Sequence, residues 1–206
     1  MPLVNKQEVE NFRWGLWKIE EEKDFFEQQL LYRATATHDE KIKQQLAARL
    51  VLEKLENNFP FQQIEINESG KPILQDGSLH FSLSHCAGYA AAMVSNKMKV
   101  GMDIELIHER VLKVEKKFLS EDELAQLNSM DQHLRISNAT LYWSLKESFY
   151  KWWGNGGLDF SKDMSIEHLQ PYQSGRVLMR FSKVPDEEFE MQYHQHDNLW
   201  ITWICK

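Results

Sequence analysis

The stretch Leu79-His-Phe-Ser-Leu-Ser-His-Cys-Ala-Gly-Tyr-Ala-Ala-Ala-Met-Val-Ser95, followed closely by Val100-Gly-Met-Asp-Ile-Glu-Leu106, decides the fold class. It reads as three strands in succession, Leu79–Ser84, Tyr89–Ser95 and Lys99–Leu106. Upstream, Asn67-Glu-Ser-Gly-Lys-Pro72 is turn chemistry. His38 to Leu55 is a helix, with Ile42, Leu46, Leu50 and Leu55 as its apolar stripe and Asp39 and Glu40 suiting its first turn. Glu21–Tyr32 reads as helical, and Phe12–Ile19 as a strand with Phe12, Trp14 and Leu16 on one side. Downstream, Val111–Phe118 reads as helical, and Ser120-Glu-Asp-Glu123 is a capping box that starts a new helix. Arg135–Trp153 is a long helix ended by Gly154-Asn-Gly-Gly157. Arg176–Ser182, Glu188–His194 and Leu199–Cys205 are closing strands, the last two facing each other across His196-Asp-Asn198. Each half places helices before strands, so the expected class is α+β, with a division into residues 1–100 and 101–206.

The 206 residues include 24 basic and 31 acidic side chains, a formal charge of −7. The halves carry 12 basic against 14 acidic and 12 against 17, so neither offers the clustered cations of a dedicated nucleic-acid binder. Cys86 and Cys205 are too few and too distant in sequence for a disulfide framework or a zinc site. The opening Met-Pro-Leu-Val-Asn-Lys-Gln-Glu lacks the apolar run of a signal peptide, and no stretch reaches the roughly 18 apolar residues of a membrane span. The expected compartment is the reducing cytoplasm.

Three constellations carry chemistry. In Val100–Leu106, strand alternation puts Met102, Ile104 and Leu106 on one face and Gly101, Asp103 and Glu105 on the other. The two carboxylates then lie about 7 Å apart at the backbone, close enough to converge on one hard cation, with Gly101 leaving room for a ligand. An ordinary solvated strand face carries the same letters. In Trp143-Ser-Leu-Lys-Glu-Ser-Phe-Tyr-Lys151, Glu147 and Lys151 share one helix face while Leu145, Phe149 and Trp152 anchor the other. Such a pair is commonly a surface contact worth roughly 0.3–0.5 kcal/mol. The surrounding Tyr142, Trp143, Tyr150 and Trp153 argue against a fully wetted helix. In Leu79–His85, Phe81, Leu83 and His85 share a face, with Ser82 and Ser84 opposite. Lys71 on its turn, and Lys43 and Arg49 on their helix, read by default as solvated charges.

In order and spacing, Gly70-Lys-Pro72, Phe81-Ser-Leu-Ser-His85, Gly101-Met-Asp-Ile-Glu105 and Trp143–Lys151 together resemble the signature of the 4′-phosphopantetheinyl transferases, specifically the larger surfactin-synthetase-activating type. The resemblance runs from about Lys43 to Phe160. It implies two similar α+β halves related by a pseudo-twofold, with coenzyme A in the cleft between them. It implies transfer of the phosphopantetheine arm of coenzyme A to a serine of an apo acyl or peptidyl carrier protein, releasing adenosine 3′,5′-bisphosphate. Asp103, Glu105 and Glu147 would bind Mg²⁺. Glu147 would be the base, with Lys151 and His85 compensating charge at the phosphorus. Lys43, Arg49, Lys71, Ser84, His85 and Lys151 would contact coenzyme A, Lys71 at its 3′-phosphate end. Where relatives often carry adjacent Lys and Arg, this chain reads Lys43-Gln-Gln45. Lys113, Lys116 and Lys117 would receive an acidic carrier. A monomer is expected, with neither nucleic acid nor membrane as a partner. A metal-dependent coenzyme A or nucleotide hydrolase, and a non-catalytic carrier-protein or coenzyme A binding module, are the competing readings.

Overall fold

The computed structural model describes residues 3–30, 32 and 34–206. Met1 and Pro2 of the opening segment, and Leu31 within the expected helix Glu21–Tyr32, lie outside the described residues. The fold is mixed α and β, built on two antiparallel sheets that lie face to face.

The first sheet draws on residues 3–95. Its strands are β1 (Leu3–Val9), β2 (Phe12–Lys18), β5 (His80–Cys86) and β6 (Tyr89–Ser95), in the order β1-β2-β6-β5. Helices α1 (Lys23–Gln29) and α2 (Asp39–Leu55) precede a small hairpin of β3 (Ile64–Ile66) and β4 (Pro72–Leu74). The second sheet orders β7-β11-β10-β9-β8, from β7 (Val100–Leu106), β8 (Met164–Glu167), β9 (Ser174–Phe181), β10 (Glu188–His196) and β11 (Leu199–Cys205). Between β7 and β8 run α3 (Glu115–Phe118), α4 (Glu121–Ser129), α5 (Arg135–Trp153) and α6 (Phe160–Asp163).

Three apolar clusters follow from strand alternation. Trp17, Ala90, Ala92 and Val94 face α2, where they meet Leu46, Val51 and Leu52. On the other face of the same strands, Trp14, Leu16, Ala91 and Met93 pack against Val100, Met102, Ile104, Ile201 and Trp203 of the second sheet. The far side of that sheet offers Trp200, Ile204 and Met191 to Leu141, Leu145 and Phe149 of α5. The layers therefore run helix, sheet, sheet, helix, and α5 lies directly over β7 and β11.

The sequence reading meets the structure closely at β6, β11 and α5 and departs from it in places. β1 was not anticipated, because Asn5, Lys6, Gln7 and Glu8 give a polar edge strand with little apolar alternation. Val111–Phe118 is a 3₁₀ turn over Glu109–Lys113 followed by the four-residue α3, not one helix. Gly101 makes room for α5 rather than for a ligand: a Cβ there would collide with the Ser148 carbonyl and the Trp152 amide of that helix. The expected capping box is present at Ser120 and Glu123, and Gly154 ends α5 in the left-handed conformation that favours glycine.

Candidate active site

The site begins where β5 and β7, each at the edge of its own sheet, are joined through serine side chains. Ser82 Oγ accepts from the Met102 amide at 3.0 Å, and Ser84 Oγ accepts from the Ile104 amide at 3.2 Å. Ser84 also donates to Asp103 Oδ1 at 2.8 Å, so one residue fixes both the strand register and the carboxylate. Asp103 is 3% exposed. Its Oδ1 accepts a second bond from Lys151 Nζ at 2.7 Å, and its Oδ2 accepts from Ser144 Oγ of α5 at 2.9 Å. Thr202 of β11 steadies Ser144 by donating to its carbonyl. A carboxylate has about four lone-pair sites. Three are filled here, and the open one is on Oδ2.

Glu105 and Glu147 complete the acidic set. Burial first, then the charge of Asp103, pushes Glu105 up to about 7 against the opposing pull of the Trp143 indole N–H, which donates to Glu105 Oε1 at 3.0 Å. Glu147 is likewise pushed up to about 7, by burial, by Asp103 and by Glu105, with Lys151 opposing. No hydrogen-bond partner engages the Glu147 carboxyl among the described residues. These oxygen donors and their mutual repulsion suit a hard divalent cation. They are not a closed cage: among the described residues no three His, Cys, Asp or Glu groups converge tightly enough to be a preassembled metal cluster.

His85 lies exposed at the end of β5. Partial desolvation of its ring, then the charges of Lys151 and Arg49, hold its imidazole below the usual range. The turn that presents Lys71 is tied across the sheets: Asn67 Nδ2 donates to the Gly154 carbonyl at 2.8 Å, and Asn67 Oδ1 accepts from the Lys71 amide at 2.8 Å. Lys71 is thus not the solvated turn residue its surroundings in sequence suggest. Burial and nearby Lys99 bring its ammonium down to about 8. Lys71, Tyr150, Lys151 and Ser82 line a cleft of about 230 Å³ between the Gly-Lys-Pro turn, β5 and the end of α5. Tyr150 also borders a wider groove, of about 870 Å³, that contains Glu147, Trp143, Phe160, Lys116 and Lys117.

The remaining candidates divide. Arg49 stacks 4.0 Å over the Tyr32 ring, bonds the Gln45 carbonyl and leaves its Nε buried without a partner, near enough to His85 to affect its charge. Lys43 is paired with Glu40 at 2.7 Å, and no contact joins it to the acidic set. Both cysteines are free, and burial pushes their thiols up, to about 12 for Cys86 and about 11 for Cys205, so neither is a ready nucleophile. Ser144 and Thr202, which position Asp103, have no role in the sequence reading, and neither has Lys146, although Ser144 and Lys146 fall inside the Trp143–Lys151 block. Lys146 is fully buried beside Glu147, its Nζ donating to Glu123 Oε2 at 2.6 Å and to the carbonyls of Phe118, Phe160 and Met164. Its single signal was a lysine amid Tyr142, Trp143, Leu145 and Phe149.

Grouped acids beside one lysine, opening on clefts rimmed by further cations, form the constellation that phosphoryl-group chemistry requires. Residues 99–204 match the family model of the 4′-phosphopantetheinyl transferase superfamily, and the chain belongs to that superfamily. It is similar to the 4′-phosphopantetheinyl transferase gsp of Aneurinibacillus migulanus, 38% identical over 48% of this chain and 42% of the relative. It is 33% identical to psf-1 of Bacillus pumilus over 71% of this chain and 62% of the relative. Against Sfp of Bacillus subtilis it is 31% identical over 53% of this chain and 48% of the relative. The chain thus spans about half the length of the curated relatives it matches. No described helix is long and apolar enough to cross a membrane.

Proposed function

We propose that the chain transfers the 4′-phosphopantetheine arm of coenzyme A to a serine of an apo acyl or peptidyl carrier protein. The single observation that carries this reading is the joining of Ser84, Asp103 and Lys151 beside Glu105 and Glu147, in a chain of this superfamily. In the reaction the carrier serine Oγ attacks the β-phosphorus of coenzyme A, the pyrophosphate P–O bond breaks, and adenosine 3′,5′-bisphosphate leaves. Glu147 takes the serine proton. Its carboxyl, with no hydrogen-bond partner among the described residues, has oxygen lone pairs to spare for that proton beside the cation it would help to hold. Lys151 and His85 meet the negative charge that grows on the phosphoryl oxygens. Lys71 and Arg49 hold the nucleotide end, and Ser84 keeps Lys151 and Asp103 aligned. Lys43 is assigned to the same end, although it must first leave Glu40.

Asp103, through its open Oδ2 site, Glu105 and Glu147 would hold Mg²⁺, which when bound supplies Lewis-acid charge to the phosphoryl oxygens. The two sheets with their helices would be halves 1–100 and 101–206, related by a pseudo-twofold with coenzyme A between them. Lys116 and Lys117, on the rim of the groove that contains Glu147, support docking of an acidic carrier there, with Lys113 nearby in sequence. The protein would work as a monomer in the cytoplasm, with no nucleic acid or membrane partner.

The test is to incubate the chain with coenzyme A, Mg²⁺ and several apo carrier proteins and weigh each carrier. Gain of the phosphopantetheine mass is expected. A folded chain that binds coenzyme A but loads no carrier defeats the proposal, and carrier-independent release of adenosine bisphosphate replaces it with a hydrolase.

A further inference from the structure

The cleft of about 230 Å³ lined by Lys71 and Lys151 and the groove of about 870 Å³ that contains Glu147 share one side chain. Among the described residues, Tyr150 alone lines both. It stands on α5 three residues after Glu147 and directly before Lys151, between the acid of the groove and the cation of the cleft. The loop after α5 continues the same wall, with Gly156 in the cleft and Gly157 in the groove.

The ring is held and the hydroxyl is not. The Tyr150 ring centroid lies 5.4 Å from that of Phe160, which lies 5.7 Å from Trp143, itself 5.1 Å from Phe118. Tyr150 therefore ends a row of packed aromatic rings along the groove. Its hydroxyl lies beside Gly156, where an added Cβ would stand 3.9 Å from it. That hydroxyl has no hydrogen-bond partner among the described residues, and it is not one of the polar atoms sealed from water. A ring fixed by packing, with a wetted hydroxyl that can donate and accept, is a contact surface that costs little entropy to engage.

The reaction has a use for such a residue. On the transferase reading, the nucleotide end of coenzyme A is held in the cleft and the carrier serine meets Glu147 in the groove. The β-phosphorus then lies between the two spaces, and the arm it bears starts there. That arm opens with a gem-dimethyl carbon, then a hydroxyl and an amide. We propose that Tyr150 binds the phosphopantetheine arm at this crossing, its ring against the gem-dimethyl carbon and its hydroxyl bonded to the polar groups that follow. The assignment rests on the transferase reading for the course of the arm. It makes Tyr150 a binding residue that selects the arm rather than the nucleotide.

The test is calorimetric titration of the full chain, with Mg²⁺ present, against coenzyme A and against adenosine 3′-phosphate 5′-diphosphate, which lacks the arm. Tyr150→Phe should weaken coenzyme A binding about two- to tenfold, the effect of one neutral hydrogen bond. Tyr150→Ala, which also removes the ring, should weaken it about ten- to hundredfold. Neither change should alter the affinity for the armless nucleotide. Unchanged coenzyme A affinity in Tyr150→Phe, or equal weakening of both nucleotides in either variant, overturns the assignment. Selective weakening in a chain that loads no carrier upholds it and defeats the transferase reading. Carrier loading with unselective weakening defeats this assignment alone.

Discussion

Lys146 and Lys151 stand five residues apart on one helix, and each meets a carboxylate, yet the two pairs are built for different purposes. Lys146 is sealed: its side chain is fully buried and it has four acceptors, drawn from the end of α3, from α4, and from the residues opening α6 and β8. Nothing more can bind there. Lys151 keeps 27% of its side chain exposed over an Asp103 whose side chain is 5% exposed, and it uses two acceptors, leaving a proton free for a ligand. The difference teaches that burial plus saturation makes a structural charge, whereas burial of one partner with spare valence on the other makes a site.

That contrast is broken most forcefully by removing each lysine. Lys146→Met leaves Glu123 buried and unpaired, and we expect a loss of roughly 3–5 kcal/mol of stability, seen in urea unfolding; a loss under 1 kcal/mol would show that the sealed pair is dispensable. Lys151→Met also leaves a buried carboxylate, Asp103, held by Ser84 and Ser144 alone, but its lysine is part-exposed, so the variant should lose less stability than Lys146→Met and lower turnover about 10²–10³-fold, the usual cost of deleting one donor to developing charge. Equal damage to stability from both changes would erase the distinction. Smaller is Gly101→Ala, which pushes α5 off β7 by backbone collision: about 1–3 kcal/mol of destabilisation is expected, with turnover reduced through displaced Lys151. Undiminished melting temperature and turnover would contradict that packing.

A finer comparison concerns Lys71, charged and half-buried without a partner. Its folded value of about 8 lies below the ordinary 10.5, so between those pH values the unfolded chain retains a proton that the folded chain has lost. Stability should therefore rise with pH across that window, and Lys71→Met should flatten the rise in urea midpoints taken at pH 8 and 10. The same slope in the variant would place the effect elsewhere. Smallest of all, Lys43→Gln removes a cation already paired with Glu40 and should change coenzyme A binding less than Lys71→Met does.

Much of the fold was legible because its signals are local. The limits of β6 follow from a short apolar run between turns, and those of α5 from helical spacing closed by Gly154. The polar edge strand β1 was not legible, because its pairing with β2 is a tertiary fact. Asp103, Glu105, Glu147 and Lys151 were all singled out by strand and helix periodicity, and the structure places them in mutual electrostatic reach. What periodicity withheld was the use of the space around them. Gly101 was read as room for a ligand and accommodates a helix. Lys146 looked like any lysine because its partners come from 14 to 28 residues away. Lys99 carries no motif at all, and only the fold brings it to Lys71.

The central claim is that a base on α5, set beside acids on β7, activates a carrier serine. Its most direct test is the mass of an apo carrier after incubation with coenzyme A, Mg²⁺ and either the native chain or Glu147→Gln, with the fold of both confirmed by circular dichroism. The native chain should add the phosphopantetheine arm, and the variant should do so about 10²–10⁴-fold more slowly, the usual contribution of a general base. Loading by Glu147→Gln at the native rate would contradict the account.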